Sequence, residues 1–140
     1  MKMKVVIVSG YFDPLHVGHL EMIRLAKKLG DELVVIVNND KQAKIKKSKS
    51  FMKEGDRLEI IKSIKYVDLA VLSLDNNKTV CRSLEHIRDY YPDCEIIFAN
   101  GGDANNKDIP EVKTAKKCDV RLVDGLGKKI RSSSKFTGIK

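Results

Sequence analysis

Apolar residues along this chain come in two rhythms. Short unbroken runs, rich in β-branched residues, occur at 3–10 (MKVVIVSG), 32–39 (ELVVIVNN), 68–74 (DLAVLSL), 94–100 (CEIIFAN) and 119–124 (DVRLVD). Such runs predict strands buried on both faces. Between them lie stretches with helical spacing. Over 17–30 the apolar positions are Leu20, Ile23, Leu25, Ala26 and Leu29, closed by Gly30. Over 53–67, Leu58, Ile61 and Ile64 share one face. Helices are also expected over 78–91, stopped by Pro92, and over 109–118, opened by Pro110. Strands thus alternate with helices from end to end. That order predicts one α/β domain over 1–140, a parallel sheet covered by helices on both faces.

In such a sheet, ligands bind beyond the carboxyl ends of the strands. Four unusual segments follow strands: GYFDPLHVGH after the first, the lysine-rich 41–53 after the second, NGGDANN after the fourth and GLGKKIRSSS after the fifth. All four should open on one edge. The 41–53 segment reads as a loop, and one more helical turn or two is expected from about Arg131.

Charge sharpens this picture. The 27 Lys and Arg residues outnumber 19 Asp and Glu, for a net charge of +8. The segment 41–53 carries six lysines and no acid, and 127–140 is wholly basic. A nucleic acid, an anionic surface or a polyphosphate would suit such a chain. Four tyrosines and four phenylalanines show no stacking pattern, and no RNA-binding motif appears. A basic nucleic-acid-binding module is therefore the alternative from another class. The three cysteines are widely spaced, without a C-x-x-C pair, and fit reduced thiols. No apolar run approaches the roughly 20 residues that span a bilayer. A soluble, cytoplasmic protein is expected.

Two of the three histidines, His16 and His19, sit three residues apart in SGYFDPLHVGHLEMI (9–23). Gly10 ends the strand without a side chain, which would let a ligand approach the backbone. Gly18 keeps the surface low between the imidazoles. Positions three apart share a helical face, and a helix start offers backbone N–H groups. The expected result is a phosphate cradle with two imidazoles added.

GYFDPLHVGHL resembles the G-x-F-D-x-x-H-x-G-H signature of the nucleotidyltransferase superfamily with the HxGH motif. LAKKLGDELVVIVNND (25–40), GDRLEIIKSIKYVD (55–68), NGGD (100–103) and IRSSSKF (130–136) are similar to segments of its glycerol-3-phosphate cytidylyltransferase and heptose-1-phosphate adenylyltransferase groups. The tail departs from that pattern: Arg131 stands where an apolar residue is usual. The resemblance implies a Rossmann-like, doubly wound, five-stranded parallel sheet. It implies in-line attack by a substrate phosphate on the α-phosphorus of a nucleoside triphosphate, with pyrophosphate leaving.

The roles implied are specific. His16 and His19 would hold the α- and β-phosphates. Lys46, with Lys44 as its neighbouring alternative, would bridge the incoming phosphate, and Arg57 would serve the same loop. Gly10, Tyr11, Phe12, Asp13 and Gly18 would belong to the nucleotide cradle, Asp13 as a brace. Gly101, Gly102 and Asp103 would line the nucleoside pocket. Arg131, Ser132, Ser133 and Ser134 would take the leaving phosphates. Mg2+ is expected to arrive with the triphosphate, and no protein metal site is expected. The expected substrates are CTP and a small phosphorylated alcohol such as glycerol 3-phosphate, in a homodimer. ATP with a sugar phosphate or a cofactor precursor is the alternative.

Overall fold

The computed structural model describes residues 2–47, 52–101 and 111–126. Strands β1 (Lys4–Gly10), β2 (Glu32–Val37), β3 (Leu69–Leu72), β4 (Glu95–Gly101) and β5 (Val120–Leu126) alternate with helices α1 (Val17–Lys27), α2 (Asp40–Lys47), α3 (Glu54–Lys62), α4 (Cys81–Tyr90) and α5 (Glu111–Cys118). The five strands form one sheet in the order β3-β2-β1-β4-β5, and every pairing is parallel. The parallel sheet expected from the apolar runs forms, in the doubly wound Rossmann-like architecture that the resemblance implied.

The reason is visible in the burial. Val5 to Val8 of β1 and Leu33 to Val37 of β2 are fully buried. Alternate side chains then enter opposite layers. Val5, Ile7, Val34, Ile36, Ile96 and Phe98 pack with Leu84 and Ile87 of α4 and Ala115 of α5. Val6, Val8, Leu33, Val35 and Val37 pack with Ile23 and Ala26 of α1 and Ile61 of α3. Strands with no solvated face need apolar residues at every position, and that is the observed pattern.

Chain order reverses between β1 and β4. β2 and β3 step outward on one side of β1, and β4 and β5 step outward on the other. The carboxyl end of β1 therefore opens at the switch point, where two loops diverge and leave a crevice.

Three expectations change. The lysine-rich stretch is not wholly a loop, because Asp40–Lys47 is helical. The fourth helix starts at Cys81 rather than 78, since Asn77 Oδ1 accepts from the N–H and hydroxyl of Thr79 and holds a turn there. The last strand runs on to Leu126, taking in part of the GLG segment, and pairs with β4 through an irregularity between Ala99 and Gly101. Among the described residues, no helix is long and apolar enough to cross a membrane.

Candidate active site

The segment after β1 places both histidines at the start of α1. His16 is the N-cap, with extended backbone at φ −143° and ψ 177°. Its Nδ1 accepts the N–H of Gly18 at 3.0 Å. His19, three residues on, returns the favour: its Nδ1 accepts the N–H of His16 at 3.1 Å. This is a capping box built from two imidazoles, in positions usually held by Ser or Thr and Glu. The rings stack, with centroids 3.9 Å apart and planes 28° from parallel.

The capping has a chemical consequence. A ring nitrogen that accepts an N–H carries no hydrogen, so each neutral imidazole holds its hydrogen on Nε2. Both rings are thereby set as Nε2–H donors. Burial, and then the neighbouring His16, push the pKa of His19 down to about 4. At neutral pH it is an uncharged donor. The first turn of α1 contains no acidic side chain, so nothing in it opposes a bound anion.

Phe12 stands behind this pair. It is buried, has a positive φ of 53°, and meets His19 edge-on with centroids 5.1 Å apart. A Cβ on Gly10 would lie 2.8 Å from Cζ of the Phe12 ring. Gly10, half-buried at the end of β1, thus makes room for a supporting side chain. Phe12 faces the core and His19, not the cradle surface.

Arg57 bonds to the chain's own groups. It is fully buried on α3. Its Nε donates to the carbonyl of Met52 at 3.0 Å. One terminal nitrogen donates to the carbonyls of Tyr11 at 2.8 Å and Asn38 at 2.6 Å, and the other meets Asp40 Oδ1 at 2.7 Å. The guanidinium thus ties together the segments after β1 and β2, the start of α2 and the approach to α3. Nearby, Asp13 Oδ1 accepts the Met52 N–H at 2.8 Å, the bracing role expected of it. Glu54 accepts the N–H of Asp40 at 2.8 Å.

Tyr11 is half-buried between these groups. Burial raises its pKa above the ordinary tyrosine value, Glu111 adds to the rise, and Arg57 opposes it. Gly18 sits in the first turn of α1. Lys44 is exposed on α2, and Lys46 belongs to the same helix. Gly101 closes β4. Gly102, Asp103, Arg131, Ser132, Ser133 and Ser134 lie outside the described residues. Among the described residues, no three His, Cys, Asp or Glu side chains gather as a metal site.

Asn39 and Gln42 went unremarked in the sequence, yet they anchor α2 at this edge. The signal was present: N-x-x-Q is a capping box opening a helix. It was masked by six lysines, which made 41–53 look like a solvated loop.

A family described as cytidylyltransferase-like matches residues 7–137. A protein of Thermococcus sibiricus named FAD synthase is 41% identical over 101 residues, covering 71% of this chain and 64% of its own length. Another of that name, from Aciduliprofundum boonei, is 36% identical over 84% of this chain and 75% of its own length. Among solved structures, the lipopolysaccharide core biosynthesis protein of Thermoplasma volcanium superposes with a TM-score of 0.69 at 29% identity, covering 87% of this chain and 95% of that one. The chain therefore spans under two thirds of the length of the Thermococcus sibiricus relative.

Proposed function

This chain belongs to the cytidylyltransferase-like family, and we propose that it is an adenylyltransferase that joins AMP from ATP to the phosphate of FMN. The observation that carries nucleotidyl transfer is the stacked, mutually capped pair of His16 and His19, both fixed as Nε2–H donors at the carboxyl edge of the sheet. The choice of substrates rests on the relatives named FAD synthase. FAD is FMN and AMP joined through a pyrophosphate link, so in-line transfer builds it from FMN and ATP. The expectation of CTP and glycerol 3-phosphate gives way on this ground to the adenylyl alternative.

The reaction then runs as a single displacement. An oxygen of the FMN phosphate attacks the α-phosphorus, the bond to the bridging oxygen breaks, and pyrophosphate leaves with the electron pair. Catalysis of this kind is positioning plus stabilisation of developing charge. His16 and His19 donate to phosphoryl oxygens as that charge grows. Lys46, or Lys44 beside it, neutralises the incoming phosphate. Gly101, Gly102 and Asp103 take the nucleoside, and Arg131 to Ser134 the leaving phosphates. Arg57 and Asp13 position these parts from within. Mg2+ would accompany the triphosphate as its counter-ion and offset its charge.

Pyrophosphate release with ATP and CTP, each offered FMN, glycerol 3-phosphate and a sugar 1-phosphate, tests this reading. FAD formed from ATP and FMN is the expected product. Preference for CTP with glycerol 3-phosphate would overturn it. Turnover of the sugar phosphate with ATP would instead support the sugar-phosphate alternative.

A further inference from the structure

Asn39 and Gln42 use their side chains twice. Within α2 they form a capping box: Asn39 Oδ1 accepts the N–H of Gln42, and Gln42 Oε1 accepts the N–H of Asn39, both at 2.9 Å. Gln42 Oε1 also accepts from Asn38 Nδ2 at 3.2 Å. Their amide nitrogens then reach across to the segment after β3. Asn39 Nδ2 donates to the carbonyls of Ser73 and Asp75, both at 3.0 Å. Gln42 Nε2 donates to the carbonyls of Asn77 and Thr79, both at 2.8 Å.

Four alternate carbonyls, 73, 75, 77 and 79, are thus held by two side chains. The bent segment 73–79 is thereby pinned through its backbone against the start of α2. That stretch is itself anchored. Buried Asp75 accepts the N–H groups of Arg82 and Ser83 at the start of α4, at 2.8 and 3.1 Å. Glu111, on α5, accepts the N–H of Val80 at 2.9 Å. The lysine-bearing helix is therefore bolted to the starts of α4 and α5 through one fully satisfied buried network. Gln42 is wholly buried, a costly place for an amide unless all its partners are met.

Such rigidity exceeds what an eight-residue, lysine-rich helix needs to exist. It fixes the backbone of α2, the helix that carries Lys41, Lys44, Lys46 and Lys47. We propose that Asn39 and Gln42 are positioning residues that set the α2 lysine against the incoming phosphate. This rests on the adenylyl-transfer reading.

The test uses the full chain with Gln42→Glu, Asn39→Asp and Lys46→Ala. Gln42→Glu keeps the shape but turns two donated N–H groups into an oxygen facing two carbonyls. Turnover with ATP and FMN should fall about 10- to 100-fold, with KM for ATP within about threefold of wild type. Lys46→Ala, expected alone to lower turnover about tenfold or more, should lower it less than about threefold in the Gln42→Glu background. Amide hydrogen exchange over 40–47 should quicken, with β1 unchanged. Asn39→Asp loses the contacts to Ser73 and Asp75 but keeps the cap, and should show the same pattern more weakly. It carries the test if Gln42→Glu does not fold. Wild-type turnover, or full additivity with Lys46→Ala, would overturn the role. So would unchanged exchange over 40–47 in both variants, whatever the substrate. A wild-type protein inactive with ATP would overturn the transfer reading instead.

Discussion

His19 accepts the backbone N–H of His16 on its Nδ1 at 3.1 Å while the two rings stack 3.9 Å apart. One pair of side chains thereby starts a helix and presents two hydrogen-bond donors. Removing either donor removes transition-state stabilisation. His19→Ala is expected to lower turnover by about 100-fold or more, the usual cost of one positioned donor. His19→Asn keeps an acceptor for the cap and separates the two roles: stability should return while turnover stays low. Near wild-type turnover in His19→Ala would remove the pair from the chemistry.

Protonation of His19 should occur far from neutrality. Its pKa is about 4 in the folded chain, against about 6.5 when unfolded. Between these values the unfolded state binds more protons, so stability is full above pH 6.5 and falls as pH drops toward 4. Partial exposure of the ring keeps that loss to about 1–2 kcal/mol. A proton NMR titration of the His19 ring should give a midpoint well below 6. A midpoint near 6.5 would show a solvated ring.

Gly10→Ala should destabilise the fold. The added methyl meets the buried Phe12 ring at 2.8 Å. Overpacking of this kind costs about 1–3 kcal/mol. Thermal unfolding should show the drop, and Phe12→Leu in the same chain should recover part of it. An unchanged melting temperature in Gly10→Ala would mean that the ring moves aside cheaply.

Arg57→Lys separates a brace from a substrate contact. Lysine keeps the charge but cannot reach the carbonyls of Tyr11, Asn38 and Met52 together with Asp40. Leaving buried acceptors unpaired should cost about 3 kcal/mol or more. The melting temperature should fall with activity. Lost turnover at an unchanged melting temperature would place the guanidinium on the substrate.

These residues also show what a sequence can and cannot reveal. The five strands were legible because strands covered on both faces need unbroken apolar runs, and 3–10 and 32–39 have them. The histidine pair was legible because its spacing and its place after a strand are local. The partners of Arg57 were not legible, because an arginine's charge says nothing about whether its acceptors are substrate oxygens or the chain's own carbonyls. The packing part of Gly10 was hidden for a similar reason: a Cβ there would meet the ring of Phe12, a neighbour two residues away with a positive φ. α2 was missed because composition outweighed its N-x-x-Q start. In each case the missing information was a partner brought in by the fold.

The uncharged state of His19 divides the work of the site between approach and reaction. A neutral donor acts only at contact and pulls nothing from solution. Long-range attraction for a polyphosphate belongs to the +8 net charge, with lysines clustered between 41 and 53. Added salt should therefore slow capture of the nucleotide, as the Debye length shrinks from about 10 Å at 0.1 M to about 3 Å at 1 M. The single-turnover rate of the bound complex should hardly change. Stopped-flow measurement of both rates across that range would show whether recruitment and catalysis can be tuned independently in this molecule.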